Sequence, residues 1–132
     1  MHDYSDARRN MVLSQLLTNK VTDERVIEAM GAVPRERFVP ASHRAVAYVD
    51  EDVAVGHGRF LMEPMLFARL LQAADVKSNE AVLDVACATG YSTAVLARLA
   101  SAVVALEDQP ELAEQAGELL DQLGVSNAAV VS

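Results

Sequence analysis

The pattern of apolar and polar residues after position 80 predicts strands that alternate with helices. Three apolar runs have the length of buried strands: 81–86, 103–106 and 128–131. Between them, 91–99 and 110–123 carry apolar residues at helical spacing. A strand, a tight turn and a helix make half of a βαβ unit, so this region predicts an α/β fold.

Two helices are predicted near the N-terminus. The first is capped by Ser5 or Asp6 and runs to about Thr18. The second is capped by Thr22 and stops at Gly31.

The stretch that follows predicts an irregular, partly extended connection. The mixed apolar and acidic residues of 47–55 predict an extended segment, and 56–59 predict a flexible turn with a solvated His57. Pro64 fits the first position of a third helix, where a missing N–H costs nothing.

Two acids mark a candidate binding site. Asp84 lies near the end of the first predicted strand, and Glu107 follows the second strand 23 positions later. In a nucleoside-binding fold, an acid at the tip of the second strand holds the ribose hydroxyls.

The turn between the first strand and its helix disfavours a dinucleotide. The fingerprint G-x-G-x-x-G would place glycines where Ala86 and Ala88 stand, and only Gly90 is present. An acid-flanked turn suits S-adenosyl-L-methionine, which has no phosphate and carries a sulfonium and an ammonium. A dehydrogenase and a turn of small residues that serves packing alone remain the alternatives.

Composition narrows the class of protein. The 132 residues are 52% hydrophobic, as in a soluble globular domain, and the net charge of −8 argues against a nucleic-acid partner. Neither a membrane-spanning run nor a signal-peptide pattern is found, and the single cysteine fits a reducing compartment, so a cytoplasmic protein is predicted. His2, His43 and Cys87 have no metal-ligand spacing, and no metal is expected.

From about Arg9 to Ser132, the chain resembles the protein-L-isoaspartate O-methyltransferases, the carboxyl methyltransferases of protein repair. The most specific stretch is Val-Pro-Arg-Glu-x-Phe-Val-Pro at 33–40. Other matching segments are Met11-Val12-x-x-Gln15-Leu16, Val26-Ile27-x-Ala29-Met30, Ala47-Tyr48-x-Asp50, Gly56-x-Gly58, Val82-Leu83-Asp84, Gly90-Tyr91 and Ala94-Val95-Leu96-Ala97.

The resemblance implies an α/β, Rossmann-like methyltransferase fold that is incomplete, with a helical N-terminal cap and the first three strands of a parallel sheet in the order 3-2-1. The implied regions are a cap with a substrate-side loop at 1–62 and the first half of the cofactor domain at 63–132. The implied cofactor is S-adenosyl-L-methionine, and the implied substrates are proteins or peptides with isoaspartyl carboxylates. By the family pattern, the cofactor-binding residues are Asp84, Ala86, Cys87, Ala88, Thr89, Gly90, Glu107 and Asp108.

Three departures from the family pattern bear on activity. The family loop reads Gly-x-Gly-Gln-Thr-Ile-Ser-Gln-Pro, but here Met62 replaces its serine and Phe60 its threonine, and neither donates a hydrogen bond to a carboxylate. Within this loop, Gly58, Arg59 and Phe60 are weak candidates for a catalytic role; Arg59 is either a cationic clamp or solvated. The family's glycines at 86 and 88 are alanines, which are tolerated if their φ is negative.

The third departure is the length of the match. The family pattern continues with a further acid and a fourth strand beside the first, so weak cofactor binding and an open sheet edge are expected. Two alternatives follow: a diverged family member that binds the cofactor without isoaspartyl methylation, or a non-catalytic module that associates through this edge. Cys87 is expected to be buried and without a redox role.

Overall fold

The computed structural model describes residues 3–132 as an α/β fold with a three-stranded parallel sheet. The α-helices are α1 (Ser5–Met11), α2 (Glu24–Ala32), α3 (Pro64–Ala74), α4 (Tyr91–Ala97) and α5 (Pro110–Gln122). The strands are β1 (Val53–Gly56), β2 (Arg59–Leu61), β3 (Ala81–Val85), β4 (Ala102–Leu106) and β5 (Ala128–Val131). The order β3-β4-β5 confirms the predicted 3-2-1 sheet.

The parallel sheet is covered on one face only. Val103 and Ala105 of β4 are buried, and Ala105 packs with Ala116 of α5. Side chains that alternate with these point to the opposite face and are 38–63% exposed: Leu83, Val85, Val104, Leu106 and Val131. In residues 3–132, β3 pairs only with β4, so its outer edge is open, as predicted.

The first predicted helix is helical throughout but changes type. After α1, the chain forms a π-helix over Val12–Leu16 and a 3₁₀ turn over Leu17–Asn19. The prediction of Ser5 or Asp6 as cap was wrong, because Tyr4 precedes the first helical residue and makes no side-chain cap bond.

The boundaries of α2 also differ from the prediction. Asp23, one residue after Thr22, is the cap, and its carboxylate accepts a hydrogen bond from the Arg25 N–H. Gly31 does not stop the helix, which ends at Ala32; the backbone leaves the helical region at Val33, just before Pro34.

Most of the segment predicted as extended is turn. A 3₁₀ helix spans Ala41–Val46, turns follow, and only Val53 onwards joins a strand. The strands β1 and β2 pair as an antiparallel hairpin whose turn contains three residues of positive φ, Gly56, His57 and Gly58. This hairpin carries Arg59, Phe60 and, just beyond it, Met62.

One buried cluster joins the N-terminal helices to the sheet region. It includes Met30 of α2, Phe38 of the 3₁₀ turn Arg35–Phe38, Tyr91 of α4 and Leu120 of α5. Among residues 3–132, no helix is both long enough and apolar enough to cross a membrane.

Candidate cofactor and acceptor site

The turn that follows β3 has an unusual backbone. Ala86 and Ala88 have φ of 60° and 52°, in the left-handed region that glycine adopts without strain. Gly90 has φ of 98°, and a Cβ there would lie 3.1 Å from the Ala116 Cβ. The condition of negative φ is therefore not met at either alanine: the turn keeps a glycine-type backbone with two methyl groups on it.

Glu107 is fully buried at the tip of β4 and holds this turn. Its carboxylate accepts hydrogen bonds from the N–H of Ala88 at 2.8 Å and the N–H of Gln109 at 3.0 Å. The structure thus brings the acid that follows the second strand of the parallel sheet against the turn that follows the first.

The charge of Glu107 is strongly stabilised. Burial by itself would raise the pKa of this carboxyl group, but hydrogen bonds from Arg59 and from the two backbone N–H groups outweigh burial and lower the pKa to about 2. Glu107 is therefore ionised at neutral pH and acts only as a hydrogen-bond acceptor.

Arg59 occupies the remaining side of that carboxylate. Its Nη2 lies 2.9 Å from Glu107 Oε2 and 2.6 Å from Asp108 Oδ1, and its Nε lies 3.4 Å from Glu107 Oε1. The sequence left two possibilities for Arg59: a cationic clamp for the substrate carboxylate, or a solvated side chain. In the structure Arg59 pairs with Glu107 and Asp108, two predicted cofactor residues that lie 48 and 49 positions later in the chain.

Asp84 is half-buried and turned toward the start of α4. Its Oδ2 accepts hydrogen bonds from the hydroxyls of Ser92 at 2.7 Å and Thr93 at 2.8 Å. These two hydroxyls were not singled out in the sequence; their position in the first turn of a helix that follows a strand with an acid near its end is the signal that could have identified them.

A cavity of about 360 Å³ opens between β2, α3 and the turn after β3. One wall carries Asp84, Ser92 and the turn, and the other is apolar. Phe60 and Met62 line the apolar wall and are 63% and 38% exposed. The cavity therefore combines one carboxylate, that of Asp84, with a hydrophobic wall.

Two other predicted site residues have mainly structural contacts. Thr89 is buried and donates its hydroxyl hydrogen bond to the Phe38 carbonyl at 2.7 Å, which ties the turn to the Val-Pro-Arg-Glu block. The Cys87 thiol is buried, and burial, followed by the charges of Asp84 and Glu107, raises its pKa to about 11. A thiol of that kind is protonated and unreactive at neutral pH.

The hairpin turn has a second side-chain contact, with helix α5. His57 Nε2 lies 2.9 Å from Glu111 Oε2 in the first turn of α5, so the residue expected in solvent has a partner. Across residues 3–132 there is no group of three or more potential metal-ligating side chains; His2 lies outside the described residues.

The chain is similar in sequence to known protein-L-isoaspartate O-methyltransferases. The family model for protein-L-isoaspartate(D-aspartate) O-methyltransferase matches residues 7–132. A protein-L-isoaspartate O-methyltransferase 2 of Anaeromyxobacter sp. (strain Fw109-5) is 46% identical over 120 residues, 91% of this chain and 49% of the relative. Another of that name, from Marinobacter nauticus, is 44% identical over 128 residues, 97% of this chain and 58% of the relative.

A solved structure shows the same fold. The crystal structure of a putative protein-L-isoaspartate O-methyltransferase from Plasmodium falciparum, in complex with S-adenosyl-L-homocysteine, superposes with a TM-score of 0.75 at 20% identity, covering 99% of this chain and 63% of that one. The fold is an incomplete Rossmann-like methyltransferase fold. The chain belongs to the protein-L-isoaspartate(D-aspartate) O-methyltransferase family. It spans about half the length of the curated relatives that it matches.

Proposed function

We propose that this chain contributes the S-adenosyl-L-methionine site and part of the acceptor site of a carboxyl methyltransferase that acts on isoaspartyl residues in damaged proteins. The observation that carries the proposal is the contact of Glu107 with the turn after β3, at 2.8 Å from the Ala88 N–H. Family membership supports the same reaction.

The residues present fit this cofactor in charge. Asp84, near the end of β3, lines the cavity, whose lining contains no Lys or Arg; Glu107, paired with Arg59, follows the neighbouring strand β4 outside that lining. Asp84 would face the cationic methionine end, and Glu107 and Asp108 would accept from the ribose hydroxyls. When bound, the cofactor supplies an electrophilic methyl group on a sulfonium.

The chain's own residues position the reactants and exclude water. An isoaspartyl carboxylate is already ionised at neutral pH, so the reaction needs alignment and desolvation more than a general base. Phe60 and Met62 provide an apolar wall next to the reacting centre, where a dry environment makes the carboxylate a better nucleophile.

Two further parts of the proposal concern organisation and location. We propose a functional division after residue 62: residues 1–62 supply the acceptor side, with Phe60 and Met62 at the cavity, and residues 63–132 supply the cofactor side. A cytoplasmic location agrees with the single, buried Cys87.

The test is transfer of labelled methyl from S-adenosyl-L-methionine to an isoaspartyl peptide. The matched control is the same peptide with a normal aspartyl residue, and a version of the protein extended to the length of its relatives serves as comparator. Base-labile label on the isoaspartyl peptide alone is the expected result. Cofactor binding without any transfer by the longer version would contradict isoaspartyl methylation.

A second candidate function is cofactor binding with a different acceptor, or with none. It is favoured by Met62 and Phe60, which stand where the family has hydroxyl side chains that hold the carboxylate. Met62→Ser together with Phe60→Thr separates the two functions. A large gain in methyl transfer to the isoaspartyl peptide indicates an activity that the natural loop has lost. Transfer that the natural protein already shows, and that the double variant leaves unchanged, indicates that the apolar loop is compatible with repair.

A further inference from the structure

All acceptor positions of the Glu107 carboxylate are in use. A carboxylate offers about four hydrogen-bond acceptor positions, two on each oxygen. Oε1 accepts from the Ala88 N–H and Arg59 Nε, and Oε2 accepts from the Gln109 N–H and Arg59 Nη2. The two backbone donors belong to the elements that form the site, so only Arg59 can be exchanged for another donor.

We infer that Arg59 occupies the place of the ribose hydroxyls at Glu107, and that a nucleoside binds only when the Arg59 guanidinium leaves. This inference rests on the proposed function and assigns a specificity-determining role to a residue that the family pattern does not provide. Asp108, whose side chain is 79% exposed, can keep the departing guanidinium at the edge of the site.

The exchange would move the acceptor side of the cavity. Arg59 begins β2, and Phe60 follows it directly along the apolar wall. The hairpin turn is held to α5 by the separate contact of His57 with Glu111, so the hairpin has two side-chain anchors, of which only the Arg59 anchor competes with a ligand. Because Arg59 must leave when the nucleoside binds, binding of the nucleoside changes the position of the neighbouring Phe60.

The test measures adenosine binding to the 132-residue chain by NMR titration, with wild type, Arg59→Gln and His57→Gln. Adenosine is uncharged, so the dependence of its affinity on salt reports the Arg59 pair and not the ligand. His57→Gln is the matched control, because it removes the other anchor and leaves Glu107 paired. The second control is 2′,3′-dideoxyadenosine, which lacks both hydroxyls that compete for Glu107.

We expect Arg59→Gln to bind adenosine about tenfold more tightly than wild type. In wild type, if the state in which Arg59 pairs with Glu107 is favoured about tenfold over the state in which Arg59 has left, the apparent affinity falls by that factor. The gain should be absent with 2′,3′-dideoxyadenosine and absent in His57→Gln. In wild type, raising ionic strength from about 0.05 M to about 0.5 M should strengthen adenosine binding, because screening weakens the ion pair; in Arg59→Gln it should not.

Two results would overturn the inference, and they are distinguishable. Equal affinity and equal salt dependence in wild type and Arg59→Gln would show that the nucleoside binds without displacing Arg59, and would leave the proposed function intact. If neither protein binds adenosine or S-adenosyl-L-homocysteine, the proposed function fails and this inference fails with it.

Discussion

The guanidinium carbon of Arg35 lies 5.0 Å from the centroid of the ring of Tyr91. Tyr91 is the first residue of helix α4. Arg35 is fully buried, donates from Nη2 to the Met62 carbonyl at 2.9 Å, and donates from Nε to the Ala47 carbonyl. One cation therefore joins the segment after β2, the turn at Ala47 and the helix that follows the β3 turn.

The first prediction concerns this arginine. Arg35→Ala leaves the buried Ala47 carbonyl and the part-buried Met62 carbonyl without their donor, and an unsatisfied buried group costs about 1–3 kcal/mol, so we expect a loss of about 2 kcal/mol or more. The midpoint of urea unfolding measures it. Arg44→Ala removes an exposed arginine and should stay within about 0.5 kcal/mol of wild type. Equal effects of the two changes would contradict the role of Arg35.

The second prediction concerns the left-handed turn. Ala86 is exposed and has φ of 60°, a conformation that costs a non-glycine residue about 1–2 kcal/mol. Ala86→Gly should therefore stabilise the chain by about 1 kcal/mol. Ala102→Gly, at an exposed strand position without positive φ, should destabilise it by about 0.5–1 kcal/mol. Thermal unfolding of both variants tests the sign, and destabilisation by Ala86→Gly would show that the turn is not strained.

The third prediction concerns acid. The pKa of Glu107 is about 2 in the folded chain against 4.5 as its ordinary value, so its ionised form favours the folded state above about pH 5. That contribution is lost progressively as pH falls from about 5 toward 2. Unfolding by urea at pH 6 and at pH 3 should show a larger loss in wild type than in Glu107→Gln. Parallel losses would mean that the other carboxylates account for acid sensitivity.

The fourth prediction concerns the uncovered face and open edge of the sheet. Val85 is 63% exposed on the edge strand β3, which suits pairing between copies of the chain. Sedimentation should show concentration-dependent association of wild type, reduced by Val85→Lys. Val46→Lys adds the same charge at an exposed position outside the sheet and should leave association unchanged. A wild-type monomer at every concentration would contradict self-association.

Helices α3 and α5 could be predicted because their signals are local, whereas the sheet order followed from the family resemblance. Pro64 and Pro110 mark the first turn of these helices, and apolar spacing marks the buried face of each. The segment at 47–55 was misassigned because a short mixture of apolar and acidic residues fits turns as well as a strand.

The site was predictable in part. Strand order brings Glu107 to the turn after β3, so that contact follows from topology. The pairing of Arg59 with Glu107 does not, since it depends on how a hairpin 48 residues away folds over the site. The sign of φ at Ala86 and Ala88 is likewise set by the turn as a whole, and an alanine in the sequence argues for the opposite sign.

The measurement that tests the central claim most directly is calorimetric titration of the 132-residue chain with S-adenosyl-L-homocysteine, for Arg59→Gln alone and for Arg59→Gln combined with Glu107→Gln, so that Arg59 competes for the site in neither protein. Circular dichroism first establishes that both variants are folded. The account predicts saturable binding of one ligand per chain by Arg59→Gln, at least about tenfold weaker when Glu107→Gln is added, since charge-assisted hydrogen bonds contribute about 1.5–3 kcal/mol. Absence of binding by Arg59→Gln, or equal affinity in both proteins, would contradict it.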